Sequence, residues 1–259
     1  MRTMLDVDEH HWWYRGRREV IDRELARLAL HPDGQALDAG CGSGRTLPEL
    51  SRYCARVSGL ELNPDAAEVA RDRGNFDVQT GRVEEMPWEA DTFDLITCLD
   101  VIEHTPDDTA ALRELRRVSR PGGWLLVTVP AYQALWSTHD EMNHHFRRYS
   151  RRRLERAVTE SGWELERMTS FNSLLLLPAA LVRLGQRHRN SDGRFTSELH
   201  LPPAWLNRIL EMPMRAESFW LAAGRTLPAG LSLLAIARNP AVAERVPASH
   251  PAQQVSAGA

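Results

Sequence analysis

The sequence predicts an α/β fold: a doubly wound, mainly parallel sheet with helices on both faces. Three observations predict it. Short apolar runs of strand length alternate with helical patterns through residues 35–130. Two of those runs lead into a polar cap followed by proline, Asn63-Pro64 and Thr105-Pro106, the usual way a chain enters a helix. The first run closes on alternating glycines, Gly40, Gly42 and Gly44, where the backbone must turn sharply. Strands separated by helices pair in parallel and bury both faces.

The elements follow in order. In "RREVIDRELARLAL" (17–30) residues Val20, Ile21, Leu25 and Leu28 share one helical face, so the chain opens with an amphipathic helix. After the "HPDG" turn, "QALDAG" (35–40) is a buried strand, "RVSGLEL" (56–62) a second and "DVQTGRV" (77–83) a third. "FDLITCLDV" (93–101) is a fourth, with Leu112, Leu115 and Val118 on the inner face of the helix after it; "GGWLLVTVP" (122–130) is a fifth. Leu154, Ala157, Val158 and Ser161 mark a further helix, "WELERMTSF" (163–171) a sixth strand and "LSLLAIARN" (231–239) the last. Between these two strands, Trp205, Leu206, Ile209, Leu210, Phe219, Trp220 and Leu221 at helical spacings indicate a helical insertion. The organisation expected is a helical cap over 1–30, a core over 31–171, an insertion over 172–228, a final core strand over 229–240 and a disordered tail over 241–259.

Composition narrows the function. The chain has 259 residues, 42% hydrophobic and 26% charged, and a net charge of −3, which gives no global reason to expect a nucleic-acid partner. All 32 basic residues are arginine; base bias explains that more simply than anion recognition, although Arg15, Arg17, Arg18 and the run from Arg147 to Arg153 form clusters. Cys41, Cys54 and Cys98 lack metal spacing and read as reduced thiols of a cytoplasmic protein. The longest apolar run, "LLLLPAALV" (174–182), is half of the ~20 residues a transmembrane helix needs.

The glycine loop decides the class. A dinucleotide-binding Gly-x-Gly-x-x-Gly would place its third glycine at position 45, which is Arg45; a nicotinamide oxidoreductase is therefore disfavoured. Glu61 ends the second strand, where a carboxylate accepts the hydroxyls of an adenosine ribose. With "LDAGCGSG", "GLELNP", "VEEMPWEADTFDLITCLDVIEH" and "LRELRRVSRPGGWLLVTVP" in this order, residues 35–130 resemble the class I S-adenosylmethionine-dependent methyltransferases, of the small-molecule or ubiquinone-menaquinone type. The resemblance implies a seven-stranded sheet whose last strand runs antiparallel, with S-adenosyl-L-methionine as cofactor and S-adenosyl-L-homocysteine as product. It implies a cofactor seat made by Gly40, Gly42 and Gly44, by Asp38 near the amino group, Glu61 on the ribose, and Val83 and Glu84 along the adenine. Leu62, Cys98 and Leu99 complete that seat. Arg82 stands where the family often has an aspartate for the adenine amino group, which leaves Glu84 or a backbone carbonyl for that duty. His104 reads as a packed residue beside the cofactor rather than a catalyst.

"WSTHDEMNHHFRRYS" (136–150) follows the fifth strand and so hangs over the sheet edge where ligands bind. A hydroxyl acceptor must lose its proton, and histidine suits that task near neutrality. The candidate catalytic residues are His139, His144 and Asp140, the carboxylate orienting one ring; His145 and Arg148 are candidate substrate contacts. A structural loop is the second reading and a metal site the last, since no compact ligand signature such as His-Glu-x-x-His is present. Trp13 and Tyr14 ahead of the first helix, and Arg18 at its start, are further substrate candidates, on a lid that closes over the site.

The function expected is methyl transfer to a small-molecule acceptor, at a hydroxyl, in biosynthesis of a secondary metabolite. N- or C-methylation of a small or lipid-like acceptor is the enzymatic alternative, and a non-catalytic cofactor-binding protein is the alternative of a different class. The acceptor is expected to be anionic or hydrophobic, the protein a monomer or homodimer without nucleic acid, transmembrane segment or metal.

Overall fold

A computed structural model describes residues 10–74, 76–178, 180–181 and 202–241. The expected disordered tail, Ala241 apart, and the middle of the insertion lie outside these. Seven strands form one sheet: β1 (Gln35–Ala39), β2 (Arg56–Glu61), β3 (Asp77–Thr80), β4 (Phe93–Leu99), β5 (Ser119–Pro130), β6 (Glu164–Phe171) and β7 (Ser232–Arg238). Their order is β3-β2-β1-β4-β5-β7-β6. Strands β1 to β5 pair in parallel, and β7 runs antiparallel to both β5 and β6. The expected sheet is thus observed, including the antiparallel last strand.

Residue alternation divides the core between the two faces. Leu37 and Ala39 of β1 face the layer that holds α4 (Asp108–Val118) and α6 (Arg151–Glu160), joining Leu112, Leu115, Leu154 and Val158. Ala36, one residue out of phase, faces the opposite layer with Val20, Leu47, Ala67 and Met214. That layer comprises α1 (Trp12–Leu25), α2 (Leu47–Leu50), α3 (Pro64–Asp72) and α7 (Ala204–Ala222). The period-two alternation of strands sends neighbouring side chains to opposite cores.

Helix α1 crosses α7 closely. A Cβ built on Gly16 would lie 2.7 Å from Met214 Cβ, so glycine is required at the crossing. The Asn207 side chain bridges the start of α1, accepting from Trp12 N at 2.8 Å and donating to His10 O at 2.7 Å. The N-terminal helix and the late helix therefore pack together on one sheet face.

One local reading changes and one holds. Asn63 caps α3 as expected, its Oδ1 accepting from Asp65 N at 2.9 Å. Thr105 does not cap α4. Its hydroxyl closes the preceding 3₁₀ turn by donating to Ile102 O, and Asp107 caps the helix through Thr109 N and Ala110 N. A carboxylate two residues on outcompetes the threonine because it accepts two amides and meets the positive end of the helix dipole.

Candidate functional site

The sheet order reverses between β1 and β4, the strands from which the crossovers run in opposite directions; ligands of doubly wound sheets bind at the carboxyl ends there. The glycine loop follows β1. Gly40, Gly42 and Gly44 all have positive φ, 82°, 55° and 77°, a region side chains disfavour. An added Cβ at Gly40 would strike Val101 Cγ2, and one at Gly44 would lie 2.7 Å from Ala70 Cβ. One at Gly42 would meet nothing within 4 Å. The outer glycines let the loop pack down, and the middle one turns a bare backbone toward open space. A nucleoside cofactor fits such a cradle.

Glu61 ends β2 beside this loop. Its Oε2 accepts from Gly42 N at 2.8 Å and its Oε1 from Asn63 N at 2.9 Å, so the carboxylate is aimed and half-exposed at the cradle's rim. Leu62 next to it is 62% exposed, an apolar side chain available to a planar ring. Asp38 is buried, and Thr97 donates to its Oδ1 at 2.6 Å. Burial pushes the Asp38 carboxyl up to about 6, against the pull of Thr97 and Arg17. Val83 is buried in the core, and Glu84 is paired with Arg82 at 2.9 Å.

Cys98 requires correction. Its side chain is fully buried in the layer that holds α4 and α6, whereas Leu99, one residue on, packs in the other layer with Cys41 and Leu47. Burial, first of all, pushes the thiol far above its ordinary range. Cys98 is core and does not face the cradle.

Across the site, the histidine loop is built around Asp140, which is completely buried in the short helix α5 (Thr138–Met142). It accepts from Ser137 N at 2.9 Å, from Arg148 Nε at 2.7 Å, and bonds His145 Nδ1 at 2.9 Å. Burial by itself would raise this carboxyl, but the His145 and Arg148 bonds outweigh it and hold Asp140 well below the usual carboxylate range. The carboxylate thus orients His145 rather than its sequence neighbour His139. His139 is exposed, with Nε2 3.1 Å from Asn143 Nδ2 and its ring 6.4 Å from that of His145. His144 is an exposed turn residue with φ 56°.

Arg148, expected to contact substrate, is internal instead. It is 5% exposed and also donates to Ala131 O at 3.2 Å. Burial of a guanidinium requires such partners, and they leave it no role at the surface. Trp13 stacks on Phe171 with ring centroids 6.1 Å apart, and Arg18 pairs with Glu49 at 3.4 Å; Tyr14 is half-buried on the same helix. The N-terminal helix reaches the site through a different residue, Arg17, which binds Asp100 Oδ2 at 2.5 Å. Asp100 sits just past β4 with φ 57°.

Sequence reasoning missed Glu103. Its side chain is fully buried, and neither carboxylate oxygen has a hydrogen-bond partner. The histidine loop rests on it, since Phe146 N donates to Glu103 O at 2.8 Å. His104, read as packed, is exposed on one side; its ring lies 4.6 Å from that of His145 at 86°. The signal was the "VIEH" stretch itself, an acid and an imidazole placed at the carboxyl end of a buried strand.

Comparison with known proteins agrees with this geometry. A family described as methyltransferase domain matches residues 13–167. A probable S-adenosylmethionine-dependent methyltransferase of Mycolicibacterium smegmatis is 30% identical over 249 residues, 92% of this chain and 93% of its own length. A ubiquinone biosynthesis O-methyltransferase of Xanthomonas oryzae is 35% identical over 114 residues, 42% of this chain; the match spans about half, 47%, of that enzyme. Among solved structures, a chain from the complex of the Haloferax volcanii Trm112 methyltransferase activator with a methyltransferase superposes with TM-score 0.61 at 19% identity, covering 93% of this chain and 94% of that one.

Proposed function

The chain belongs to the class I S-adenosylmethionine-dependent methyltransferases, and from that premise we propose that it methylates a hydroxyl group of a small-molecule acceptor. The observation that carries this reading is the histidine loop, in which the buried Asp140–Arg148 pair fixes His145 at the same sheet edge as the glycine cradle. S-adenosyl-L-methionine supplies an electrophilic methyl group on a sulfonium. Gly42 offers backbone without a side chain to the methionine portion, Glu61 accepts the ribose hydroxyls, and Asp38 faces the amino group. Val83, Glu84 and Leu62 take the adenine side.

On the acceptor side, a hydroxyl is a poor nucleophile until its proton leaves. His139 or His144 receives that proton while the oxygen attacks the methyl carbon in line. With the cofactor bound, its carbon–sulfur bond would break as the carbon–oxygen bond forms, the electron pair returning to sulfur as a neutral thioether. The chain's contribution is alignment of the two reactants and exclusion of water. Helix α1, tied to the site by Arg17 and Asp100, suits the covering role. The Xanthomonas relative named for O-methylation supports oxygen as the acceptor atom, and neutral overall chemistry at the loop supports a small molecule over a nucleic acid.

The test is incubation of the full chain with S-adenosyl-L-methionine and matched phenols, catechols, amines and activated carbon acids, with products located by mass spectrometry. Methyl groups on oxygen are expected. Transfer to nitrogen or carbon alone would overturn the assignment of the acceptor.

A further inference from the structure

Glu103, His104 and His145 each offer a ligand atom within 4.8 Å of those of the other two. They come from two loops far apart in the chain, one after β4 and one after β5, which is why no spacing motif announces them. We propose that these three residues bind a divalent transition-metal cation that also receives the acceptor's oxygen. Its role in catalysis rests on the O-methylation reading; the existence of the site does not.

Four features carry the assignment. The first is Glu103, whose two fully buried oxygens have no hydrogen-bond partner. A buried carboxylate without a partner is costly, and an unsatisfied group of this kind requires an explanation such as an ion. The second is the ligand set: one carboxylate and two imidazoles suit divalent first-row metals and leave coordination positions open. The third lies behind the ligands. The Asp140 carboxylate holds His145 Nδ1 at 2.9 Å, which leaves Nε2 as the ring nitrogen with a lone pair to give. Metal-bound histidines characteristically place their second nitrogen on such a carboxylate. The fourth is position, at the carboxyl ends of β4 and β5, next to the strand whose loop cradles the cofactor.

The chemistry is balanced without an added redox partner. Coordination to the cation would lower the pKa of a hydroxyl, so that its proton would leave to His139 or water before attack. The oxygen then takes the methyl group from the sulfonium as described above. A second oxygen on the acceptor would fill another open position, which favours a catechol or a hydroxyl beside a carbonyl.

Cobalt(II) tests the site directly, by a readout independent of turnover. Tag-free full-length protein is treated with chelator, desalted and titrated with CoCl2 while its visible absorption is recorded. One equivalent is expected to bind with the absorption of a nitrogen-ligated site. His104→Ala and His145→Ala should each weaken binding by more than about a hundredfold, since changes merely behind a ligand already cost 10–100-fold. Glu103→Gln should do the same, and His31→Ala, in the exposed turn before β1, should not. His104 lies at the surface, so its variant reports on binding rather than folding, as far-ultraviolet circular dichroism will verify. Absence of stoichiometric cobalt binding, or equal binding by the His104 and His145 variants, would overturn the site. An intact cobalt site with methylation only at nitrogen or carbon would instead overturn the O-methylation reading and leave the site standing.

Discussion

At the ends of β1 and β2, the candidate recognition groups are backbone amides of a glycine loop and one carboxylate, joined directly: Gly42 donates to Glu61 at 2.8 Å. At the ends of β4 and β5 they are side chains from separate loops, joined through buried charge: Asp140 holds both Arg148 and His145. The first half depends on conformation, the second on desolvated electrostatics. Substitutions should therefore fail differently on the two sides. Those at the buried charges of the acceptor side should threaten the loop's folding as well as its chemistry, and those at the half-exposed carboxylate of the cofactor side should cost mainly binding.

The largest effect tests that contrast where it is sharpest. Asp140→Ala leaves Arg148 buried without its carboxylate, and loss of one partner of a buried pair costs about 3–5 kcal/mol. Urea unfolding of the variant should show a destabilisation of that size. The pH dependence follows from the sign of the shift. The folded Asp140 carboxyl lies below its ordinary value, so its stabilisation is complete above about pH 4, the unfolded value, and is lost as pH falls through the folded one. The variant should lack this acid-sensitive component. Unchanged stability would show that the buried pair does not organise the loop.

Next in size is the proton acceptor. His139→Ala should lower the methylation rate about a hundredfold, the lower end of the range for general-base catalysis, with affinity for S-adenosyl-L-homocysteine and unfolding free energy nearly unchanged. His144→Ala should have a smaller effect, because His144 occupies a left-handed turn. Wild-type rates in both variants would remove these histidines from the reaction.

How much of this was legible in the sequence differs between the two halves for a physical reason. The seven strands and the glycine cradle follow from local patterns: period-two burial, Asn63-Pro64, and Gly-x-Gly-x-Gly. Such signals depend on neighbours in the chain. Asp107, two residues past Thr105, is the cap because its carboxylate accepts two amides of the helix's first turn. Cys98 and Leu99 were both assigned to the cofactor seat, although strand pleating must separate them. The pairing of Asp140 with His145 instead of His139, the burial of Arg148 and the orphaned Glu103 depend on how the loop folds back over β4. No local pattern encodes that. Histidine density announced the loop, but only three-dimensional contact assigns work to each ring.

The cofactor side should yield a smaller, purely ligand-directed effect. Glu61→Ala should weaken S-adenosyl-L-homocysteine binding by about 1.5–3 kcal/mol, the worth of hydrogen bonds to a charged group, as measured by calorimetry. Its destabilisation in urea should be well below that of Asp140→Ala, since Glu61 is half-exposed and bonds only backbone amides. A variant that unfolds as readily as Asp140→Ala would erase the distinction between the halves.

The smallest effect concerns Asp38, a deeply buried acid on the cofactor side, and it asks whether that side also uses desolvated electrostatics. Burial raises its carboxyl to about 6 in the cofactor-free protein, so at pH 5 the group is mostly protonated and at pH 7 mostly ionised. If it receives the ammonium of the cofactor, only the ionised form binds well, and binding at low pH must first expel a proton. Affinity for S-adenosyl-L-homocysteine should then rise about tenfold between pH 5 and pH 7, because one unit between pH and pKa is a factor of ten in the ionised population. Stability should move the opposite way. A carboxyl raised in the folded state favours folding while protonated, and that contribution declines as pH climbs from about 4 to about 6. Asp38→Asn should flatten both trends while keeping Thr97 a neighbour of similar shape. Calorimetry across this pH window reads the first trend and urea unfolding the second. A flat affinity profile in the wild type would take the ammonium away from Asp38 and leave the glycine loop's carbonyls to hold it.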